Sequence, residues 1–215
     1  MKRARELLLL VALVLSGLVG LVIGQIAGTG AIFVDNATVG SNTFTTAASF
    51  PCTSGDTGFK NPTVQAADTG GDGDGFELNP ANAFADDAAF ASNRNGRGDR
   101  HRFYNYGFSI PSNCAIQGIK VRLDWWLDST WDWNSMSVEL SWDGGTSWTA
   151  AKTDSTETDT EHTAILGGSA DTWGHPWSLA ELSDANFRVR VISNSGQWSR
   201  DFFLDWVPVK VYYGP

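Results

Sequence analysis

The sequence has little positive charge, and it lacks the long amphipathic stretches of helical proteins. Its 15 lysines and arginines stand against 24 aspartates and glutamates, which gives a formal net charge of −9. A nucleic-acid-binding protein needs a basic face that displaces counterions from phosphates, so this balance argues against that class. Charged residues make up only 18% of the chain, which argues against coiled coils and helical bundles.

Catalytic motifs are also missing. The three histidines, His101, His162 and His175, have no HExxH or similar spacing, and the chain contains no GxSxG. Paired carboxylates are abundant, but such pairs arise by chance on an acidic surface. We therefore expect a protein that is not an enzyme.

The N-terminus has the pattern of an export signal. Three basic residues precede an apolar run from Leu7 to Gly24, and small residues follow up to Ala31. This pattern predicts a signal peptide over residues 1–31, cleaved after Ala31. As a helix the run would be about 27 Å long, close to the thickness of a bilayer core, so a retained membrane anchor is the alternative. Both readings predict an extracellular or cell-surface protein.

The junction after this run resembles the camelysin and TasA family, whose exported precursors are cut by a SipW-type peptidase. The residues that carry the resemblance are Ala31, Ile32, Phe33, Asp35, Asn42, Thr43 and Phe44. Members of that family are β-sandwich proteins that assemble into extracellular fibres, in which an N-terminal strand completes the sheet of the next subunit. The resemblance implies a homopolymer, a surface filament or biofilm matrix built by donor-strand complementation.

Residues 32–50 form the candidate donor segment. Its first stretch is β-prone and uncharged except for Asp35, which suits pairing with an exposed sheet edge. The predicted donor-strand residues are Ile32, Phe33, Val34, Ala37 and Val39. The alternative is an ordinary first strand that pairs within its own domain. Asn36 begins the one N-glycosylation sequon.

Residues 51–215 have the alternation of apolar and polar residues that is typical of half-buried antiparallel strands. The clearest segments are 119–125, 136–142, 187–191 and 207–213. They predict an all-β fold, a single jelly-roll-like antiparallel β-sandwich. Pro208 lacks a backbone N–H, so it predicts a sheet edge or a bulge in the last strand.

The same region resembles a jelly-roll domain of exported bacterial and archaeal proteins. The segments NPANAFADDAAFAS, YGFSIPSNCAIQGIKVRL, VELSWDGGTSW and FFLDWVPVKVYY carry the resemblance. Such domains are mostly carbohydrate-binding-like or uncharacterised surface modules. The resemblance therefore implies a fold, and it implies polysaccharide as a possible partner class.

Cys52 and Cys114 are the only cysteines of the chain. Since both follow the export signal, they predict one disulfide. Two free buried thiols are the alternative.

Carboxylates and glycines alternate over residues 68–77. Hard oxygen ligands on a flexible loop suit Ca²⁺, and the next acidic turn can complete the shell. The predicted metal ligands are Asp68, Asp72, Asp74, Glu77, Asp86 and Asp87. A solvated acidic turn without an ion is the alternative.

All ten tryptophans lie between Trp125 and Trp206. Four of them, Trp125, Trp126, Trp131 and Trp133, are candidates for contacts to a sugar or to a subunit, with burial in the core as the third possibility. Because Trp125 and Trp126 are adjacent in a strand, they must point to opposite faces.

Two further segments stand out. Arg94, Arg97, Arg100 and Arg102 predict a basic loop that meets acidic loops of a neighbour or a sulfated or uronic polymer. Residues 141–148 resemble an Asp-box, with Ser147 where the pattern has Thr, and this predicts a structural hairpin.

Together these features predict a non-enzymatic extracellular structural protein, a filament subunit assembled by strand exchange. The alternative is a secreted or cell-surface carbohydrate-binding module. Deletion of the candidate donor strand and mutation of the exposed tryptophans distinguish the two.

Overall fold

The computed structural model describes residues 51–131, 133–196 and 200–215, which consist of strands joined by turns and irregular loops. One short 3₁₀ turn, Pro80–Ala83, is the single helical element of these residues. No helix within them has the length and apolar character needed to cross a membrane.

The described residues form eleven strands. They are β1 (Gly55–Asp56), β2 (Val64–Asp68), β3 (Ala91–Asn93), β4 (Asp99–Tyr104), β5 (Ala115–Leu127), β6 (Ser135–Ser141), β7 (Lys152–Asp154), β8 (His162–Gly167), β9 (Arg188–Asn194), β10 (Phe202–Trp206) and β11 (Val209–Gly214). The four segments that the sequence predicts as strands fall on β5, β6, β9 and β11. The strands β1, β3 and β7 have two or three residues each, too few for a period of two to be visible.

The strands pair into two antiparallel sheets. In the first sheet β5 is central, with β8 on one side and β10 and β11 on the other; β3 pairs with β10 and β1 with β11. The second sheet has the order β2-β4-β9-β6-β7. The predicted all-β antiparallel sandwich is therefore confirmed.

Pro208 interrupts a strand inside the first sheet. β10 and β11 both pair with β5, and the register shifts between Leu204 and Trp206, just before the proline. The Pro208 carbonyl still accepts a hydrogen bond from Arg122 N at 3.1 Å. The missing N–H thus divides one long strand in two without placing it at a sheet edge.

The core lies between the two sheets and follows the alternation of the strands. Every second residue of β5 from Ile119 to Leu127 is buried, and Trp125 is the largest fully buried side chain. Facing residues from the second sheet include Phe103, Val138, Leu140, Val189 and Val191. The sheets therefore bury one apolar face each, as in other β-sandwiches.

A disulfide joins Cys52 to Cys114, with the two Cα atoms 5.2 Å apart. It ties the segment before β1 to the residue that precedes β5, across 62 residues of chain. The predicted pairing is confirmed. By the loop-entropy model such a link contributes about 4 kcal/mol, and it is typical of proteins from oxidising compartments.

Candidate functional site

Two tryptophans in the loop between β5 and β6 are the most exposed large apolar side chains among the described residues. Trp131 is 74% exposed and Trp133 is 93% exposed. Water contact with apolar surface of this size is unfavourable unless a ligand or partner covers it. Exposure therefore marks this loop as a candidate binding surface.

Hydrogen bonds to a single carbonyl oxygen hold the backbone of this loop. The Trp131 carbonyl accepts from Asn134 Nδ2 at 2.6 Å and from Arg200 Nη2 at 3.2 Å. Arg200 is fixed in turn by Asp128, whose Oδ1 accepts from Arg200 Nη1 at 2.9 Å. Trp133 has φ 61°, a left-handed conformation that bulky residues rarely adopt. Such a conformation costs about 1–3 kcal/mol; the buried Trp173 of the core adopts it as well.

Trp133 forms one wall of a surface pocket of about 340 Å³ at the start of β6. The other walls are polar and consist of Asn134, Ser135, Ser155 and Glu157. Glu157 Oε1 accepts a hydrogen bond from Asn134 N at 2.6 Å. Asn134 Oδ1 is buried and has no hydrogen-bond partner within the described part of the chain. A flat apolar surface beside amide, hydroxyl and carboxylate groups suits a small ligand with one apolar face and several hydroxyls.

Trp125 and Trp126 point to opposite faces of β5. Trp125 is fully buried, and its Nε1 donates to Asp154 Oδ2 at 2.9 Å. The expectation that Trp125 contacts a sugar or a subunit is therefore wrong, because its indole belongs to the core. Trp126 lies on the outer face, with ring centroids 5.0 Å from Phe90 and 5.4 Å from Phe203. We call Phe90, Trp126 and Phe203 the second aromatic patch.

The carboxylates predicted to share one calcium site separate into several environments. Asp72 and Asp74 lie together, and the third member of their cluster is Asp99, which the sequence does not single out. Burial and the neighbouring Asp72 raise the pKa of Asp74 to about 6, and burial also raises the pKa of Asp99. The hydrogen bond from Asp74 lowers the pKa of Asp72. These three residues are the Asp99 cluster.

Asp86 lies in a different cluster, with Glu161 and Asp205. Burial raises the pKa of both Glu161 and Asp205. Asp87 is adjacent, and its Oδ1 accepts from Ala89 N at 3.1 Å. The expectation that Asp86 and Asp87 close the shell around the glycine-rich loop is wrong, because Asp86 lies with Glu161 and Asp205 and the Asp87 side chain accepts from Ala89 N.

The remaining two predicted ligands are occupied by other partners. Asp68 Oδ2 lies 3.2 Å from Arg190 Nη1 and 3.8 Å from Arg102 Nε. Both carboxylate oxygens of Glu77 accept from Arg94 N, at 2.9 and 3.2 Å. The prediction that Asp68 and Glu77 bind a metal is therefore not supported by their contacts.

The four arginines predicted to form one basic loop divide between a loop and a strand. Arg94 and Arg97 lie in the loop between β3 and β4 and are exposed. Arg100 and Arg102 lie within β4 and are half-buried, so the expectation of a single basic loop is wrong for them. The β3–β4 loop lies at the same end of the sandwich as the exposed tryptophans, since Gly96 N donates to the Arg200 carbonyl at 2.8 Å.

Two arginines of β9 lie on the outer face of the second sheet, and the sequence analysis did not predict them as site residues. The Arg190 guanidinium lies 3.8 Å from the Trp148 ring centroid, and that of Arg188 lies 4.3 Å from the Tyr104 ring centroid. Their spacing of two in the predicted strand 187–191 indicates a shared outer face. Arg102 is aligned with Arg190 across the β4–β9 ladder.

The histidines have structural partners. His162 Nε2 lies 2.8 Å from Asp154 Oδ2, and His175 Nε2 lies 3.2 Å from a Glu181 oxygen. His101 Nδ1 accepts from Phe76 N at 3.1 Å. Burial and the neighbouring arginine lower the pKa of His101 to about 4. Each imidazole is thus tied into the packing of the sandwich.

Several predicted residues lie outside the described part of the chain. These are the signal segment, the donor strand with Ile32, Phe33, Val34, Ala37 and Val39, and the sequon residue Asn36. The filament reading rests on this segment, and no contact of the described residues supports it. It stays a prediction.

No family model and no curated protein matches the chain. None of the comparisons supports the N-terminal resemblance to the camelysin and TasA family.

Similar solved structures include carbohydrate-binding modules. A CBM32 of AlyQ in complex with 4,5-unsaturated mannuronic acid is 12% identical with a TM-score of 0.37, and the match covers 70% of this chain and 96% of that chain. The CBM22-1-GH10 modules of Clostridium thermocellum xylanase 10B, complexed with xylohexaose, are 12% identical with a TM-score of 0.39, over 72% of this chain and 27% of that chain. TmCBM61 in complex with beta-1,4-galactotriose is 9% identical with a TM-score of 0.37, over 68% of this chain and 86% of that chain. Similarity at this level carries no argument about what the present chain binds.

Proposed function

We propose that the β-sandwich is a non-catalytic carbohydrate-binding module and that the loop of Trp131 and Trp133, with its pocket, is the binding site. The observation that carries the proposal is the 93% exposure of Trp133 at the wall of a pocket whose other walls are polar. A pyranose ring has C–H groups on its flat face and hydroxyls around its edge. The indole covers the flat face, and the polar side chains bind the hydroxyls.

The polar wall offers donors and acceptors of the types that hydroxyl groups need. Ser135 and Ser155 each supply a hydroxyl that donates and accepts, and Glu157 supplies a second carboxylate oxygen beside the one that accepts from Asn134 N. A few polar groups beside an apolar surface fix the orientation of a ligand.

The conformation of the loop supports the same conclusion. Trp133 has a positive φ, and Asn134 and Arg200 both donate to the carbonyl of Trp131, two residues earlier. Backbone strain and an exposed indole both oppose folding, so a role in binding explains why this loop keeps them.

The charge of the pocket favours a neutral sugar. Among the described residues, Glu157 is the one charged wall residue, and no basic side chain lines the pocket. A uronic or sulfated polymer would be repelled by this carboxylate. Arg94 and Arg97 lie at the same end of the sandwich, so an acidic polymer is the alternative that the experiment must separate.

The test is retention of the purified full-length protein on polysaccharides. We expect retention on at least one neutral polymer from a set of cellulose, xylan, mannan, galactan and chitin. We expect Trp133→Ala to weaken that binding about tenfold or more, because the stacking surface is lost. Affinity electrophoresis with soluble forms of the same polymers gives the dissociation constants.

Trp126→Ala is the matched control, since it removes an indole from the second aromatic patch and should leave retention unchanged. If Trp133→Ala is retained like the wild type, or if Trp126→Ala abolishes retention, the site is wrong. If the wild type is retained on alginate or on a sulfated polymer and the double variant Arg94→Ala, Arg97→Ala is not, the proposal of a neutral sugar as the ligand is wrong.

A further inference from the structure

The acidic loop, residues 69–75 between β2 and β3, folds back onto the first residue of β4. Asp72 N donates to Asp99 Oδ1 at 2.8 Å, although 27 residues separate them. Gly71 has φ 58°, and a Cβ at this position would collide with Asp99 Oδ1. Glycine is thus the residue that allows the loop to lie directly on this carboxylate.

The carboxylate of Asp99 is buried although it lies beside two other aspartates. The residue is 1% exposed, and its Oδ2 is buried without a hydrogen-bond partner in the described ranges. One carboxylate oxygen of Asp99 lies within 4.8 Å of one from Asp72 and one from Asp74. A buried oxygen of this kind is costly unless a proton donor or a cation meets it.

The carboxylates around Asp74 repel one another, although the Arg100 side chain lies against Gly70 of the same loop. Asp72, Glu77 and Asp99 are the charged neighbours that act on Asp74. At the start of the loop the situation is the reverse, since Asp68 has Arg102 and Arg190 as ion-pair partners. The loop therefore brings together three carboxylates and leaves the most buried one with an unused oxygen.

We infer that Asp72, Asp74 and Asp99 bind a divalent cation, and that the ion is Ca²⁺. Calcium accepts six to eight oxygen ligands at about 2.3–2.6 Å in irregular geometry, and flexible loops supply them readily. Asp99 contributes the buried ligand, the two loop aspartates contribute exposed ones, and water or loop carbonyls complete the shell. Mg²⁺ fits less well because it requires near-octahedral geometry at shorter distances.

Calcium titration of the purified full-length protein, stripped with EDTA, tests the inference. Calorimetry measures the affinity, and thermal unfolding measures the stabilisation by CaCl₂ against MgCl₂. We expect saturable binding of Ca²⁺, and we expect Asp74→Asn and Asp99→Asn each to weaken it at this site about tenfold or more. Asp74 is exposed, so its variant gives a result even if Asp99→Asn fails to fold.

Two control variants separate this site from general acidity and from the other acidic cluster. Asp159→Asn removes an exposed carboxylate that belongs to neither cluster, and it should bind Ca²⁺ like the wild type. Asp205→Asn alters the cluster of Asp86, Glu161 and Asp205, and it should leave the site with Asp74 unaffected. The inference is overturned if the wild type does not bind Ca²⁺ at millimolar concentration, or if Asp74→Asn binds as tightly as Asp159→Asn. It is also overturned if Asp205→Asn alone abolishes binding.

Discussion

Two turns of this protein are rich in aspartate and glycine, and their carboxylates meet opposite environments. In the turn of residues 141–148, Asp143 Oδ1 accepts from Ser141 Oγ at 3.0 Å, Thr146 N at 3.0 Å and Ser147 N at 2.8 Å. Against some desolvation, these hydrogen bonds lower the pKa of Asp143. In the Asp99 cluster the carboxylates face one another, and the pKa of Asp74 is raised to about 6.

The difference shows that a run of glycines and aspartates does not by itself determine which partners its carboxylates find. The 141–148 turn satisfies its carboxylate with its own backbone, as the Asp-box resemblance implies for a structural hairpin. In the acidic loop, Asp72 N donates to Asp99 Oδ1, and Asp99 Oδ2 has no partner among the described residues. The first turn satisfies its own carboxylate, and we infer that a cation completes the second.

The largest difference between the two turns should come from their glycines. Gly71→Ala places a Cβ against Asp99 at positive φ, and we expect a loss of about 2–4 kcal/mol in the free energy of unfolding. Gly144→Ala is the matched substitution in the other turn. Its φ is 76°, but the nearest atom to a Cβ is the Ala185 carbonyl at an ordinary 3.5 Å, so we expect a loss of about 1 kcal/mol. Urea denaturation measures both, and equal losses would contradict the proposed close packing of the acidic loop.

The next effect concerns the carboxylates. Asp143→Ala leaves the donors of Thr146 and Ser147 without their acceptor, so we expect a loss of about 1–2 kcal/mol. This loss should be the same in CaCl₂ and in EDTA, because the turn satisfies its own carboxylate. Chemical denaturation in both buffers measures it. Restoration of stability by Ca²⁺ would show that the two turns are less different than their contacts indicate.

The smallest effect is a pH dependence of opposite sign for the two turns, measured in EDTA. Because the pKa of Asp74 is raised from 3.8 to about 6, ionisation of this group destabilises the folded state as the pH rises through that range. Asp74→Asn should therefore be more stable than the wild type at pH 7, and the difference should vanish below pH 3.8.

Asp143 has a lowered pKa, so its stabilisation is present above pH 3.8 and is lost as the pH falls through the folded-state value. Asp143→Asn should accordingly be less stable than the wild type at pH 7, with a difference that shrinks on acidification. Thermal unfolding of each variant against the wild type at a series of pH values measures both trends. The same sign for both variants would contradict the comparison.

The sequence predicts the main features of the fold because they depend on local periodicity. The alternation in residues 119–125 and 187–191 locates β5 and β9, and it requires Trp125 and Trp126 to lie on opposite faces. The number of cysteines and the export signal predict the disulfide. Each of these inferences needs only the order of residues within one segment.

The candidate sites are less predictable because they join residues from distant parts of the chain. Asp99 meets Asp72 across 27 residues, and Asp205 meets Asp86 across more than a hundred. Four tryptophans in nine residues do not reveal which indole is buried, since Trp125 is fully buried and Trp133 is 93% exposed. The glycines and aspartates of the acidic loop predict an ion site, but only the strand pairing adds Asp99 to it.

The amino-acid sequence alone determined the class of the fold, the strand faces and the pair of cysteines, because periodic burial and chain chemistry act locally. The tertiary structure decided which carboxylates have an arginine, a backbone donor or only another carboxylate as a neighbour. It also decided that Trp133 stands beside a polar pocket at the start of β6. The physical reason is that burial and electrostatic partners depend on distances in space, and the sheet register sets those distances.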